Sequence, residues 1–178
     1  ETRIQAGLQH PNIGAVYDCG LDESGNPAIV MQYVTGQNLA TIIDSLRSGD
    51  EEHHARFSLQ ARIDIFLGVI HALSYSHGKR LIHCDIKPSN VIIGEHGEVW
   101  LADWGLARAV PTLQRQVSIP PVSKSGVLSV SSEIDATVRN TISQEIAIIG
   151  TPRYMSPEQA KGSVWDLDEK SDIYSAFV

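Results

Sequence analysis

The stretch of sequence that decides the fold is His83-Cys84-Asp85-Ile86-Lys87-Pro88-Ser89-Asn90, and Asp103-Trp104-Gly105 follows it. The pattern predicts that Asn90 leads into a short strand and that Asp103 follows the next strand. A tight hairpin between the two strands brings Asn90 and Asp103 close together. An amide oxygen and a carboxylate that meet at one point are suitable ligands for Mg²⁺. The sequence therefore predicts a magnesium site at the end of this hairpin.

Asp85 and Lys87 add two charged groups beside that site. They lie two residues apart in an irregular segment that contains Pro88. Lys87 supplies a positive charge, and Asp85 offers a carboxylate that can orient or deprotonate a hydroxyl group. A metal, a cation and a group that aims the nucleophile are what phosphoryl transfer needs.

These residues resemble the catalytic loop and the DFG motif of the eukaryotic-like serine/threonine protein kinases, with Trp104 in place of phenylalanine. Further blocks match the family in order: His10-Pro11-Asn12-Ile13 after the C-helix, Val30–Val34 at the hinge, Gly150–Glu158 at the end of the activation segment, and Asp172–Ser175 at the start of the F-helix. The resemblance covers essentially the whole chain, and Trp104 and the hairpin before it suggest a bacterial member. It implies an α+β, protein kinase-like fold.

The resemblance also divides the chain. Residues 1–34 correspond to a partial N-lobe, with the end of the C-helix, two strands and the hinge, and residues 35–178 correspond to much of the helical C-lobe. A Ser-rich insert spans about 110–145 in the activation segment. Its composition favours a solvated loop, and the alternative is a cluster of phosphoacceptors or a docking segment. Both ends look cut, so we expect a fragment of a longer protein that is inactive in isolation.

Site residues follow from the resemblance position by position. Asp85 is the catalytic aspartate, Lys87 touches the transferring phosphate, and Thr151 bridges the two. Asn90 and Asp103 hold Mg²⁺. The residues expected to hold ATP are Glu1 as the C-helix glutamate, Met31 as the gatekeeper, Gln32 and Val34 through their backbones, Asn38 at the ribose and Ile92 beneath the adenine ring.

The implied function is ATP-dependent phosphorylation of serine or threonine hydroxyls on protein substrates, because Lys87 and Thr151 together favour these acceptors. The alternative is a pseudokinase that binds nucleotide or a partner without turnover. Cys84 stands where the family has an arginine, and Gln5 stands where the family's regulatory spine has an apolar residue; both give the alternative slight support. Cys84 itself is either a small packed side chain or a redox-sensitive thiol. His83 is expected to be structural.

Charge and cysteine content exclude other classes. The formal net charge of −7 argues against binding to nucleic acid or to an anionic membrane surface. The two cysteines form no CxxC pair, which argues against a zinc site and favours a reducing compartment. We therefore expect the kinase domain to be cytoplasmic, although the parent protein could be tethered to a membrane through a helix outside this chain.

The hydrophobic pattern predicts the secondary structure around the motifs. Strands are expected at 13–18 and 28–34, with a turn between them, and at 91–93 and 99–101. Helices are expected at 38–46 and 58–77, the second ending at Gly78. The second helix is indicated by apolar residues that recur at helical spacing: Leu59, Ile63, Phe66, Leu67, Ile70 and Leu73.

Overall fold

The structure of the chain, a computed structural model, describes residues 7–110 and 150–178. The predictions for Glu1, for Gln5 and for all but the first residue of the Ser-rich insert lie outside these ranges. The division into an N-lobe part and a C-lobe part stays a prediction.

Two strands form an antiparallel hairpin near the start of the chain: β1 at Val16–Leu21 and β2 at Pro27–Met31. Asp22 closes the turn between them, because its Oδ1 accepts hydrogen bonds from the N–H groups of Ser24 at 2.9 Å and Asn26 at 2.8 Å. Aspartate and asparagine favour such turns for this reason. The predicted hairpin is therefore confirmed.

The bounds of these strands differ from the prediction by up to three residues at each end. Ile13 does not pair with β2 but forms a bridge with Leu101. The N–H of Leu101 also donates to the carbonyl of Asn12 at 2.8 Å. The segment before β1 is thus bound to the hairpin at residues 91–101, which we call the catalytic hairpin. The hydrophobic pattern of residues 13–18 alone could not reveal this contact.

A three-stranded antiparallel sheet carries that hairpin. Its order is β3-β5-β6, with β3 at Gln37–Asn38, β5 at Val91–Ile93 and β6 at Val99–Leu101. The bounds of β5 and β6 are those predicted. A separate antiparallel pair consists of β4 at Leu81–Ile82 and β7 at Arg108–Ala109.

Helices make up much of the remaining described chain: α1 at Leu39–Arg47, α2 at Glu51–Arg56, α3 at Leu59–Gly78, α4 at Pro157–Ala160 and α5 at Glu169–Ala176. Short 3₁₀ turns occupy Pro88–Asn90, Trp104–Leu106 and Val164–Asp166. The side chains of Asn38, Asp50 and Ser58 cap α1, α2 and α3 by accepting a backbone N–H bond, so these helices start where the sequence provides a cap. None of the helices in the described ranges is long and apolar enough to cross a membrane.

The apolar residues whose spacing predicts α3 do not all face the core, since Leu73 is buried and Phe66 and Ile70 are only half-buried. Leu59, Ile63 and Leu67 are 73%, 43% and 43% exposed. The residues of α3 that enter the core are Ile65, Gly68, Val69, Ala72, Leu73 and Ser76. Because α3 is apolar on more than one side, the spacing alone could not select the face that packs.

The end of α3 is a correction. Gly78 is the last helical residue, and the left-handed residue that follows the helix is Arg80, with φ of 59°. Gly68, in the middle of α3, allows the helix to approach β6. A Cβ atom at this position would lie 2.9 Å from Cβ of Val99. The core that results joins α3 to the sheet and includes Leu73, Leu101 and Trp104.

Candidate active site

Asp85 lies at the centre of a hydrogen-bonded group in the catalytic loop, residues 83–90. Lys87 Nζ is 2.5 Å from Asp85 Oδ2, and Thr151 Oγ1 donates to Asp85 Oδ1 at 2.9 Å. Lys87 Nζ also donates to Thr151 Oγ1 at 3.0 Å. The structure therefore brings the three predicted catalytic residues into one network, although Thr151 lies 66 residues from Asp85 in the chain.

Asn90 connects this network to the predicted metal site. Its Nδ2 donates to the backbone oxygen of Asp85 at 3.0 Å and to Asp85 Oδ2 at 3.3 Å. The amide oxygen consequently points away from Asp85. The backbone carbonyl of Asn90 accepts the N–H of Ala102 at 2.8 Å. Because Asp103 is the residue after Ala102, the backbone of Asp103 lies near Asn90.

The donor set at this point fits Mg²⁺. Asp103 is exposed, and its backbone is left-handed with φ of 61° at the start of a 3₁₀ turn. In residues 7–110 and 150–178, no group of three or more His, Cys, Asp and Glu side chains comes together to hold a metal. An amide oxygen and one carboxylate match the way Mg²⁺ is commonly bound, with one or two protein ligands and the remainder from phosphates and water.

The pKa of the Asp85 carboxyl is set by opposing effects. Burial raises this pKa, because it disfavours the charged form. Hydrogen bonds from Lys87 and Thr151, the positive charge of Lys87 and the amide of Asn90 lower it and outweigh the burial. The net pKa lies below the ordinary value, so the carboxylate is ionised at neutral pH.

Asp172 fixes the backbone just before Asp85, and this role was missed by the sequence analysis. The side chain of Asp172 is 1% exposed. Its Oδ2 accepts the N–H of His83 at 2.8 Å, and its Oδ1 accepts the N–H of Cys84 at 2.9 Å. His77 Nε2 lies 2.8 Å from the same Oδ2. Helix α5 thereby holds the catalytic loop in place from a distant part of the chain.

Cys84 is clamped in an unusual backbone conformation. Its φ is 67°, a region that residues with a Cβ atom seldom adopt. Its N–H binds Asp172, and its carbonyl accepts a hydrogen bond from Gln159 Nε2 at 2.7 Å. Gly150 has φ of +114°, and a Cβ atom there would lie 2.9 Å from the Cys84 carbonyl oxygen. Glycine at position 150 therefore lets the end of the activation segment pack on the catalytic loop.

The thiol of Cys84 does not have the properties of a redox sensor. Burial raises the pKa of this thiol to about 12, and the negative charge of Asp172 acts in the same direction. A reactive cysteine needs access to solvent and a lowered pKa. The redox-sensitive alternative is wrong for this residue, and the packed interpretation is confirmed.

His83 is a neutral core residue, as expected. Burial lowers its pKa, and the imidazole is fully enclosed. Nδ1 accepts the N–H of Asp85 at 3.3 Å, so Nε2 carries the proton and donates to the carbonyl of Ala102 at 3.0 Å. The ring also packs against Trp104, with 4.6 Å between the ring centroids. Trp104 is 1% exposed and thus serves the core.

A cavity of about 480 Å³ opens between the first hairpin and the catalytic hairpin. This volume is in the range of small-ligand sites. Predicted ATP-site residues that line it are Met31, Gln32, Val34 and Ile92, and the predicted metal ligand Asp103 lies at the same cavity. Five residues that the sequence analysis assigned to nucleotide and metal are therefore brought to one place. Glu1 lies outside the described residues.

Asn38 and Gln32 make hydrogen bonds within the protein that limit the contacts each residue can make with ATP. Asn38 does not line the cavity; its Oδ1 caps α1 by accepting the N–H of Thr41 at 2.9 Å. The side-chain oxygen of Asn38 thus serves the helix, and the ribose contact predicted for this residue stays a prediction. The N–H of Gln32 donates to the carbonyl of Ala15 at 2.7 Å. Only the carbonyl oxygen of Gln32 is then suited to an adenine amino group.

The site combines an ionised carboxylate with a lysine and a threonine hydroxyl, and it lies beside a cavity of the size that a nucleotide needs. The neighbouring hairpin carries two oxygen groups suited to a metal ion. Together these features are typical of sites that carry out phosphoryl transfer. The chain belongs to the protein kinase domain family, whose match extends over residues 1–178. This match confirms the predicted family and the predicted α+β, kinase-like fold.

Curated relatives are bacterial serine/threonine kinases. The chain is 37% identical to a probable serine/threonine-protein kinase of Streptomyces coelicolor, over 98% of the chain and 21% of that protein. It is 35% identical to the probable serine/threonine-protein kinase PknB of Bifidobacterium longum, over 99% of the chain and 22% of that protein. It is 34% identical to the serine/threonine-protein kinase PknB of Mycolicibacterium smegmatis, over 98% of the chain and 23% of that protein. The chain thus spans about a fifth of the length of these relatives.

Proposed function

We propose that the protein containing this chain transfers the γ-phosphoryl group of ATP to serine or threonine hydroxyls of protein substrates. The observation that carries the proposal is the network in which Lys87 and Thr151 both bind the Asp85 carboxylate. The names of the relatives support the same activity, and the family uses ATP with Mg²⁺ and acts on proteins.

Asp85 orients the acceptor hydroxyl and takes up its proton. The hydroxyl oxygen forms a bond to the γ-phosphorus while the bond from that phosphorus to the β–γ bridging oxygen breaks, so that ADP leaves. Lys87 stabilises the negative charge of the transferring group. A low pKa makes Asp85 a weak base, which is consistent with a largely dissociative transition state in which the proton leaves late.

Asn90 and Asp103 are the residues that would hold the divalent cation in this proposal. When bound, Mg²⁺ neutralises charge on the phosphate oxygens. Asn90 is held ready because its Nδ2 binds Asp85, which fixes the direction of the amide oxygen. For the nucleotide base, we assign the carbonyl of Gln32 and the backbone of Val34 to the polar edge, and Met31 and Ile92 to the apolar contacts.

A pseudokinase remains the second candidate, and Cys84 is the observation that favours it. That observation is weakened by the geometry around it, since Cys84 keeps Asp85 in place through bonds to Asp172 and Gln159. We further propose a cytoplasmic kinase domain that acts on proteins and not on nucleic acid, in line with the net charge of −7.

The test is phosphate transfer by the full-length protein and two variants in the same loop. Asp85→Asn keeps the shape of the side chain but removes its charge, and Ser89→Ala changes an exposed residue as a matched control. We expect Asp85→Asn to lose roughly a hundredfold or more of the transfer rate, a typical contribution of acid–base groups, and Ser89→Ala to keep it. Equal transfer by Asp85→Asn would overturn the role of Asp85. Nucleotide binding without transfer by the wild-type protein would establish the pseudokinase.

A further inference from the structure

Arg153 lies two residues after Thr151 in the chain and has no role in the network described above. It is in the turn that begins at Thr151, where the N–H of Tyr154 donates to the carbonyl of Thr151 at 2.9 Å. Thr151 itself is hydrogen-bonded to Asp85 Oδ1. Two residues span less than about 8 Å even when fully extended, so the backbone of Arg153 lies close to the residue that touches the catalytic carboxylate.

The turn is fixed at both ends. At its start, Thr151 is held by Asp85 and Lys87. After it, Ser156 is fully buried and forms a capping box with Gln159, whose Nε2 binds the carbonyl of Cys84 at 2.7 Å. Arg153 is thus presented from a rigid position relative to Asp85, and only its side chain has freedom to adapt.

The charge of Arg153 is not balanced by a neighbour in the described ranges. The residue is exposed, and its guanidinium lies 5.8 Å from the centre of the Tyr154 ring. No carboxylate of residues 7–110 or 150–178 lies within 4 Å of it. The nearby acid of the same segment, Glu158, accepts a hydrogen bond from Ser171 at 2.5 Å and is directed to α5.

The catalytic loop contains no unpaired acidic side chain that could neutralise Arg153. Asp85 is paired with Lys87, and the exposed residue of the loop is the uncharged Ser89. Arg153 is therefore an exposed cation, without a carboxylate partner in residues 7–110 and 150–178, on the segment whose Thr151 contacts Asp85. A carboxylate in the peptide near the acceptor hydroxyl is a group that such a cation can bind. Guanidinium groups bind carboxylates through two parallel hydrogen bonds, which gives this contact a preferred geometry.

We propose that Arg153 is a specificity-determining residue that directs the kinase to serine or threonine acceptors flanked by acidic residues. The inference rests on the proposed function and names the class of substrate that the same site takes. Since the contact is exposed to solvent, we expect a modest effect, about three- to fivefold in kcat/KM for one acidic residue over a neutral one. A basic residue at the same place is repelled.

The test uses the full-length protein and peptides that have one serine in an alanine and glycine background. A single Glu or Lys is placed in turn at each of the three positions on either side of the serine. For the wild-type protein we expect Glu to raise kcat/KM at one or two positions and Lys to lower it there. Arg153→Glu should reverse this order, and Arg153→Gln should remove the preference without reversing it.

Lys170→Glu is the matched control, because it makes the same change of charge at an exposed residue whose ion pair, with Asp168 at 3.8 Å, lies on the surface of α5. It should keep the wild-type order of peptides. If wild-type protein phosphorylates all peptides equally, or if Arg153→Glu keeps the preference for Glu, the inference is wrong and the proposed function stands. If no peptide and no general protein acceptor is phosphorylated by the wild-type protein, the proposed function itself fails, and the inference with it.

Discussion

At the scale of single residues, Asp85 shows how a buried carboxylate is kept ionised. Burial raises its pKa, and the donors from Lys87 and Thr151 more than compensate. A carboxyl group whose pKa is lowered by folding stabilises the folded state above its unfolded pKa of about 3.9. That contribution is lost as the pH falls through the lower, folded-state pKa. Near neutral pH, Asp85 is therefore both ionised and stabilising.

Removal of one donor should move the pH dependence of the reaction. Thr151→Val keeps the shape of the side chain and removes the hydrogen bond to Asp85 Oδ1. Because burial then acts against fewer donors, the pKa of Asp85 should rise, and the acid limb of the profile of kcat/KM against pH should shift to higher pH. The rate at neutral pH should fall by about ten- to a hundredfold, since hydrogen bonds to charged groups contribute about 1.5–3 kcal/mol. An acid limb at the wild-type position would contradict this account of the pKa.

The two cysteines provide a second prediction at this scale, with one thiol serving as the control for the other. Cys19 is exposed, whereas Cys84 is buried with a thiol pKa of about 12. In the native protein at pH 8, a thiol reagent should therefore modify Cys19 and leave Cys84 unmodified until the protein is unfolded. Mass spectrometry of digested peptides assigns the site. Modification of Cys84 at a rate similar to that of Cys19 would contradict the packed interpretation.

At the scale of elements, the parts predicted from sequence are those fixed by neighbours in the chain. The hairpin of β5 and β6 has its predicted bounds because its turn residues and strand residues are contiguous. The starts of α1 and α3 follow from the caps Asn38 and Ser58. The spacing of apolar residues correctly predicts that α3 is a helix, but which of these residues are buried depends on packing against β6.

The same limit explains why the role of Asp172 was missed. Asp172 lies in the first turn of α5, where the helix dipole favours a negative charge. This local effect is by itself a sufficient reason for an aspartate at this position. Its partners, the N–H groups of His83 and Cys84, lie 89 and 88 residues earlier in the chain. Nothing in the local sequence indicates that contact. By contrast, the motif itself contains the spacing of Asp85, Lys87 and Asn90, and the structure joins these three side chains by hydrogen bonds.

Substitution of Asp172 in α5, compared with substitution of Asp168 at the cap of that helix, tests the contact between Asp172 and the catalytic loop. Asp172→Ala leaves two backbone N–H groups without partners, and we expect a loss of about 2–6 kcal/mol in the free energy of unfolding, at about 1–3 kcal/mol for each unpaired buried group. Asp168→Ala removes the helix cap and should cost only about 1 kcal/mol. Denaturant titration measures both. Phosphate transfer, measured where both variants are folded, should fall for Asp172→Ala alone. Equal destabilisation and equal rates in the two variants would show that Asp172 acts only as part of the helix start.

At the scale of the whole molecule, the cavity that we assign to the nucleotide depends on elements that come from separate parts of the chain. Met31 and Val34 approach from the side of the first hairpin, and Ile92 and Asp103 approach from the catalytic hairpin. The bridge between Ile13 and Leu101 ties these two regions together. A ligand that contacts both sides should therefore stabilise the whole fold rather than one element.

This coupling predicts how Mg²⁺ and ATP together affect thermal stability. A ligand at a hundred times its Kd adds about 2.7 kcal/mol to the stability of the folded state, which for a domain of this size raises Tm by several degrees. In the full-length protein, ATP with Mg²⁺ should raise Tm more than ATP with EDTA.

The Asp103→Asn variant tests which residue holds the cation. Asparagine tolerates the left-handed backbone at position 103, since this residue type also adopts it. The variant should leave the Tm of the free protein nearly unchanged and remove most of the additional shift that Mg²⁺ provides. Asp18→Asn, at an exposed position of β1, is the control and should respond as the wild-type protein does. If Asp103→Asn retained the full Mg²⁺-dependent shift, the cation would have to be held elsewhere, and the pairing of Asn90 with Asp103 as its ligands would be wrong.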